Sequence, residues 1–173
     1  INLIAYSTLA VIICYIDRVN ISVAIIPMQE QFGWSDSQVG FIFSSFYLGY
    51  MLTMALGGYL SDKFGGKRVL GWGVVLWSIF TILTPLAAHN GFFALFFIRI
   101  LMGIGEGVTF PAWHSLYARW IPFNERTRAI AFTNSGVSVG TIIGYIGTQM
   151  IILAMGWESV SYTHLTLPTS NSV

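Results

Sequence analysis

Charge is what this sequence has least of. Only 9% of its 173 residues are Asp, Glu, Lys or Arg, against 55% hydrophobic residues. Soluble domains run nearer a quarter charged, so a soluble globular composition is excluded. A basic excess is missing too. The net charge is +1, and without a basic face to neutralise phosphates, nucleic-acid binding is excluded as the main role. Cysteine occurs once, at Cys14, which rules out an intrachain disulfide; set in an apolar run, it reads as a small buried hydrophobe. No Cys/His cluster suggests a metal, and no Ser or Cys nucleophile is matched with a base at a plausible spacing. An enzyme is therefore not expected, and neither is a cofactor.

An initiating methionine is lacking as well. The chain opens at Ile1, and its first segment has neither the basic region nor the small-residue cleavage site of a signal peptide. The sequence reads as a fragment whose natural N-terminus lies upstream.

What the chain does have is long apolar sequence. Five stretches, at roughly 1–28, 39–60, 69–88, 92–118 and 129–155, are each long enough to cross a bilayer. They predict an all-α, multi-pass integral membrane protein, with residues 1–160 as one transmembrane helical unit and the lipid bilayer as its solvent. Basic residues assign the sides. Lys63, Lys67 and Arg68 share one connection, Arg119, Arg126 and Arg128 another, and the alternate connections hold none. The basic loops and the N-terminus are thus expected on the cytoplasmic side or its equivalent. Which membrane is not fixed by sequence. After "MGWESV" the polar run "SYTHLTLPTSNSV" is too short and too hydrophilic to span. Residues 161–173 read as a non-native or frameshifted tail, with a genuine polar terminus as the alternative.

Four ionisable groups remain at membrane depth: Asp17, Arg18, Arg99 and Glu106. Each is costly in lipid unless paired or facing water, so each marks a candidate functional position. A buried ion pair that only orients helices is the competing reading, and such pairs stabilise weakly because desolvation offsets the attraction. Arg99 and Glu106 stand seven residues apart, about two helical turns or roughly 10 Å along one face, with Gly103 between them. Asp17 and Arg18, adjacent on the first span, point about 100° apart and can serve different partners. Arginine keeps its proton, whereas a carboxyl group out of water can take up and release one near neutral pH. Arg18 is therefore expected to hold an anion, and Asp17 and Glu106 to carry protons. That combination is the electrostatic minimum for moving an anion together with protons.

Small residues complete the pattern. Gly103, Gly105 and Gly107 lie inside an apolar span with no strand before them, so they are not a nucleotide-binding loop. Gly103 and Gly107 read instead as helix-packing positions, and Pro111 beyond them as a kink. Gly136, Gly140 and Gly144, four apart, form a stripe for close packing, with or without sliding between helices. Ser135, Ser138 and Thr141 beside it read as bonded back to their own helix. His89 and His164 are assigned no role, and His114 a structural one.

The connection "GYLSDKFGGKRVL", 58–70, resembles the loop signature between the second and third spans of the major facilitator superfamily. The match rests on Gly58, Leu60, Asp62, Lys63, Gly65, Lys67 and Arg68. "DRVNISVAI", "RILMGIGEGVTFPAWH" and "ERTRAIAFTNSG" are similar to the anion:cation symporter family within it, which includes plastid phosphate, bacterial sugar-acid and vesicular glutamate transporters. "GGKRVLGWGVVLWSIFTILTP" is especially similar to the plastid phosphate branch. The resemblance runs from Cys14 to Val160. It implies about five helices of the N-terminal six-helix half of a twelve-helix fold, with the C-terminal half as a partner outside this sequence.

The resemblance also implies a secondary transporter that carries a small anion, a carboxylate, sugar acid or phosphate, by symport with a proton or sodium ion. A major facilitator transporter of another substrate class, or a channel- or receptor-like helical protein, is the alternative. Arg18 and Arg99 would bind substrate, with Arg99 partnering Glu106. Asp17 and Glu106 would couple protons. Gly58, Asp62, Lys63, Gly65, Lys67 and Arg68 would form a gating loop that works through contacts with the other half of the protein, so Asp62 is expected to have lost its usual partners here. Phe43 stands where the vesicular glutamate branch has histidine, and that branch lacks the acid supplied here by Asp17; glutamate is accordingly disfavoured as substrate. No proline interrupts the Gly136 stripe, which favours symport over antiport.

Overall fold

The structure is a computed structural model that describes residues 2–161. The tail from residue 162 on, including His164, lies outside the described residues. Six helices follow one another: α1 (Asn2–Phe32), α2 (Asp36–Phe64), α3 (Gly66–Asn90), α4 (Phe92–Gly107), α5 (Thr109–Trp120) and α6 (Phe123–Met155). Because α4 and α5 are two limbs of one rod, Phe92–Trp120, five helices are long and apolar enough to cross a membrane.

The helices run past the apolar stretches that announce them. Twenty-nine residues of α2 make a rod about 43 Å long, longer than the roughly 30 Å hydrocarbon core. Its ends therefore stand in the headgroup zone, where polar helical residues carry no desolvation cost. Joints are short. A single residue, Gly65, turns α2 into α3, and a single residue, Gly91, turns α3 into α4; their φ values are +89° and +114°, a region that disfavours side chains bearing a Cβ. At the start of α2, Ser35 and Gln38 form a reciprocal capping box, side chain to backbone in both directions.

The fourth span breaks at Val108 rather than at Pro111. Proline has no N–H to donate to the Gly107 carbonyl four residues earlier, and its ring presses on that carbonyl. The discontinuity therefore appears one turn ahead of the proline that causes it.

Packing divides the spans into two groups: α1 lies along α6, while α2 and α3 both lie against the α4–α5 rod. Glycine makes each contact close. A Cβ on Gly103 would strike the Phe46 carbonyl of α2, one on Gly107 the Tyr50 carbonyl and the Thr53 hydroxyl, and one on Gly105 the Trp77 amide of α3. Gly136, Gly140 and Gly144 meet α1 at Thr8, Ile12 and Ile16, so the two helices run parallel, four residues against four. Further along the same seam the Thr148 hydroxyl bonds Asn20 Oδ1. Ser135 and Thr141 bond back to the Phe132 and Val137 carbonyls. Large apolar side chains such as Trp72, Phe93 and Leu153 stay exposed on the outside, where lipid takes the place of a core.

Within this chain Asp62 has local contacts: Ser115 Oγ donates to its carboxylate at 3.3 Å, and Arg119 Nη2 to its backbone carbonyl at 3.1 Å. Both come from α5, the second limb of the fourth span. One expectation needs correction. His89, assigned no role as a loop residue, belongs to the last turn of α3. Its Nε2 lies 2.7 Å from Glu158 Oε1, and its ring stands against Trp157 and Phe32. His114 is structural, with Nδ1 at 2.8 Å from the Phe110 carbonyl and its ring stacked on Trp113.

Candidate functional site

All four membrane-depth charges lie inside the bundle, between α1, α2, α3 and α4. Asp17, Arg99 and Glu106 are 4%, 3% and 1% exposed, and the Arg18 side chain is 17% exposed. Arg18 Nε and Nη2 donate to Glu106 Oε1 at 3.0 and 2.5 Å, an ion pair between the first and fourth spans. The Arg18 guanidinium also lies over the rings of Tyr15 and Tyr50, 4.8 Å from each centroid, and over Phe46 at 5.3 Å. Three aromatic faces substitute for the water the cation gave up.

Arg99 is not the partner of Glu106. One helix carries both, but the seven-residue spacing fixes only their separation along that helix, and the neighbouring α1 decides which cation reaches the carboxylate. Arg99 Nη1 approaches Met102 Sδ at 3.3 Å, and its guanidinium lies 4.9 Å from the Phe46 ring. Phe46 thus serves both arginines. Gly103 brings this about: with hydrogen at that position, α4 closes onto the α2 backbone at Phe46 itself.

Two cavities meet at Arg99. The smaller, about 30 Å³, is lined by Asp17, Asn20, Thr81, Thr84 and Arg99 among others. Its size, and these polar side chains in an otherwise apolar wall, suit one or two water molecules. The larger, about 200 Å³, has Arg18 and Arg99 in its wall with Tyr15, Tyr47, Tyr145 and Thr141. It is open on one side. Asp17 and Arg18, neighbours in sequence, therefore serve different cavities, as their angular separation requires. Phe43 lines the larger one. The signature loop, from Gly58 to Arg68, lies apart from this site at the other end of α2; there Lys63 Nζ rests over Tyr59 and Phe64. Among the described residues no group of three or more His, Cys, Asp or Glu is placed to hold a metal ion.

The structure adds residues that sequence reading passed over. Cys14 is buried in an apolar cluster with Phe46, Trp77 and Met102, as expected, and its Sγ also lies 2.8 Å from Glu106 Oε1, making it a third donor to the oxygen already held by Arg18. The signal was present. Cys14 stands three residues before Asp17 and four before Arg18, which places it on the same helical face. Tyr15 and Tyr50 likewise precede recognition, because a run of aromatic residues in a lipid-facing sequence gives no sign of which rings turn inward.

Comparison with known proteins agrees with this architecture. The sequence profile described as Major Facilitator Superfamily matches residues 7–168. The chain is similar to the chloroplastic ascorbate transporter of Arabidopsis thaliana, 49% identical over 88% of this chain and 28% of that protein. It is 46% identical to the chloroplastic sodium-dependent phosphate transport protein 1 of the same plant, over 92% of this chain and 31% of that protein. Among solved structures, a bacterial homologue of the human lysosomal transporter Spinster, inward-facing and unoccupied, superposes with a TM-score of 0.75 at 26% identity, covering 92% of this chain and 37% of that one. The chain spans under a third of the length of the curated relatives it matches. With five bilayer-length helices and a profile match over nearly its whole length, this chain belongs to the Major Facilitator Superfamily.

Proposed function

We propose that this chain is the N-terminal helical part of a secondary transporter, not an enzyme, that moves a small anion by proton- or sodium-coupled symport. The observation that carries the reading is that Arg18 and Arg99 both face one 200 Å³ cavity. Two permanent cations at one wall attract an anion strongly where the dielectric is low. Tyrosine and threonine hydroxyls beside them can donate hydrogen bonds to it. At 200 Å³ the space is smaller than the roughly 300–1,000 Å³ of complete ligand sites, as befits a site with a second wall supplied by the C-terminal half. Names of the relatives, an ascorbate transporter and a sodium-dependent phosphate transport protein, support an organic acid or phosphate as cargo. Their chloroplast designation supports an organelle membrane.

Arg18 gives the cycle its switch. In the structure its charge is committed to Glu106, and an anion in the cavity competes for it. Glu106, left without its cation, becomes costly as a buried carboxylate and accepts a proton. Asp17, on the smaller cavity, is the second proton carrier. Loss of the anion restores the ion pair and expels the proton, so cargo and proton travel together. In the full-length transporter, Arg18→Ala abolishes anion binding, and Glu106→Gln loses uptake driven by an imposed gradient while anion exchange persists. Uptake measured in proteoliposomes checks both; wild-type driven uptake in both variants refutes the assignment. Comparing an imposed pH gradient with a sodium gradient identifies the coupling ion.

A further inference from the structure

The Glu106 carboxylate is held asymmetrically. Oε1 receives three donors, Arg18 Nε, Arg18 Nη2 and Cys14 Sγ. Oε2 is fully buried and has no hydrogen-bond partner among the described residues. The three donors differ in kind. Arg18 faces the 200 Å³ cavity and is drawn away when an anion arrives there. Cys14, 1% exposed, does not line that cavity. A thiol is a weak neutral donor, and both the carboxylate and the neutral acid can accept its hydrogen bond, the carboxylate more strongly.

We propose that Cys14 is the positioning residue that keeps Glu106 in place while Arg18 is engaged with the anion; this rests on the proton-coupled form of the function proposed above. The sequence of events balances. Arg18 turns its N–H groups from Oε1 to the anion, and the co-transported proton binds Oε2, the oxygen that carries no hydrogen bond among the described residues. Oε1 is then the carbonyl oxygen of a neutral acid, and it continues to accept the Cys14 S–H. When the anion leaves, the proton departs from Oε2 and Arg18 returns to an Oε1 that has not moved. That return takes place in the empty carrier. Net uptake requires an empty-carrier step in every cycle, whereas exchange of one anion for another bypasses it.

The full-length transporter tests this through Cys14→Ala and Cys14→Ser. Cys14→Ala lowers proton-driven uptake by about tenfold, the worth of one hydrogen bond to a charged group, yet leaves anion exchange nearly intact; Cys14→Ser, which retains a donor, restores driven uptake. Equal losses in uptake and exchange would mark Cys14 as mere packing and overturn the proposal. So would unchanged uptake in Cys14→Ala, a serine variant as defective as the alanine one, or uptake driven by sodium alone. A second readout needs no transport. The infrared S–H stretching band of Cys14, isolated by subtracting the Cys14→Ser spectrum, lies at the lower frequency of a bonded thiol and rises in Glu106→Gln, whose amide oxygen is a poorer acceptor. A band at the free-thiol position overturns the proposal whatever transport the alanine variant shows. If the wild-type protein moves no anion, the transport reading falls separately, and the band still decides the contact.

Discussion

At the scale of single residues, the site depends on arginine being arginine. Arg18 brings two N–H groups to one oxygen and spreads its planar cation over three rings. A lysine keeps the charge but is a compact, strongly hydrated ammonium that neither forks nor stacks in this way. Arg18→Lys is expected to bind anion about tenfold more weakly, the effect of losing one charge-assisted hydrogen bond, while Arg18→Ala loses binding altogether; titration of the purified full-length protein with phosphate or ascorbate measures both. The four charges at this scale were legible in sequence, since ionisable residues inside apolar runs are rare enough to point at themselves. Their pairing was not. Resemblance gave Glu106 to Arg99, and the fold gives it to Arg18, because partner choice depends on how α1 is rotated against α4.

Among elements, glycine governs how closely the spans approach, and the sequence told only part of this. The stripe Gly136, Gly140, Gly144 was legible from its four-residue period. Gly49 and Gly73 were not, since nothing in their spacing says that they meet the Ile100 and Gly105 carbonyls of α4. A test sets two glycines of α6 against each other. A Cβ at Gly140 would lie 2.6 Å from the Ile12 carbonyl, whereas one at Gly147 meets nothing within 4 Å. Gly147→Ala is expected to be neutral or to stabilise by up to about 1 kcal/mol through helix propensity. Gly140→Ala must push α1 away, at a cost of about 1–3 kcal/mol. Thermal unfolding of the two variants in detergent orders them, and equal melting temperatures would show that the α1–α6 seam is looser than described.

For the molecule as a whole, the five spans were readable because bilayer thickness acts on composition alone. The two-group arrangement was not, because no pattern within one helix names its neighbour. The aromatic edge where α1, α3 and the turn after α6 meet was equally hidden: His89, Glu158, Trp157 and Phe32 come together from three distant segments. In this arrangement the cavity beside Arg18 and Arg99 is lined by α1, α2, α4 and α6 and left open on one side. The 173-residue chain alone, reconstituted in vesicles, is therefore expected to show no gradient-driven uptake of phosphate or ascorbate, although a full-length transporter containing it does. Measurable uptake by the isolated chain would mean that the site closes without a second half.

The interruption at Val108 lies two residues past Glu106. A rod is most compliant where its ladder of hydrogen bonds is broken, so flexing of the fourth span is concentrated at that joint. Above it, the ionic knot can stay still; below it, α5 can tilt together with the loop that Ser115 and Arg119 grip through Asp62. The joint thus acts as a fulcrum, about which α5 can swing without disturbing the lock.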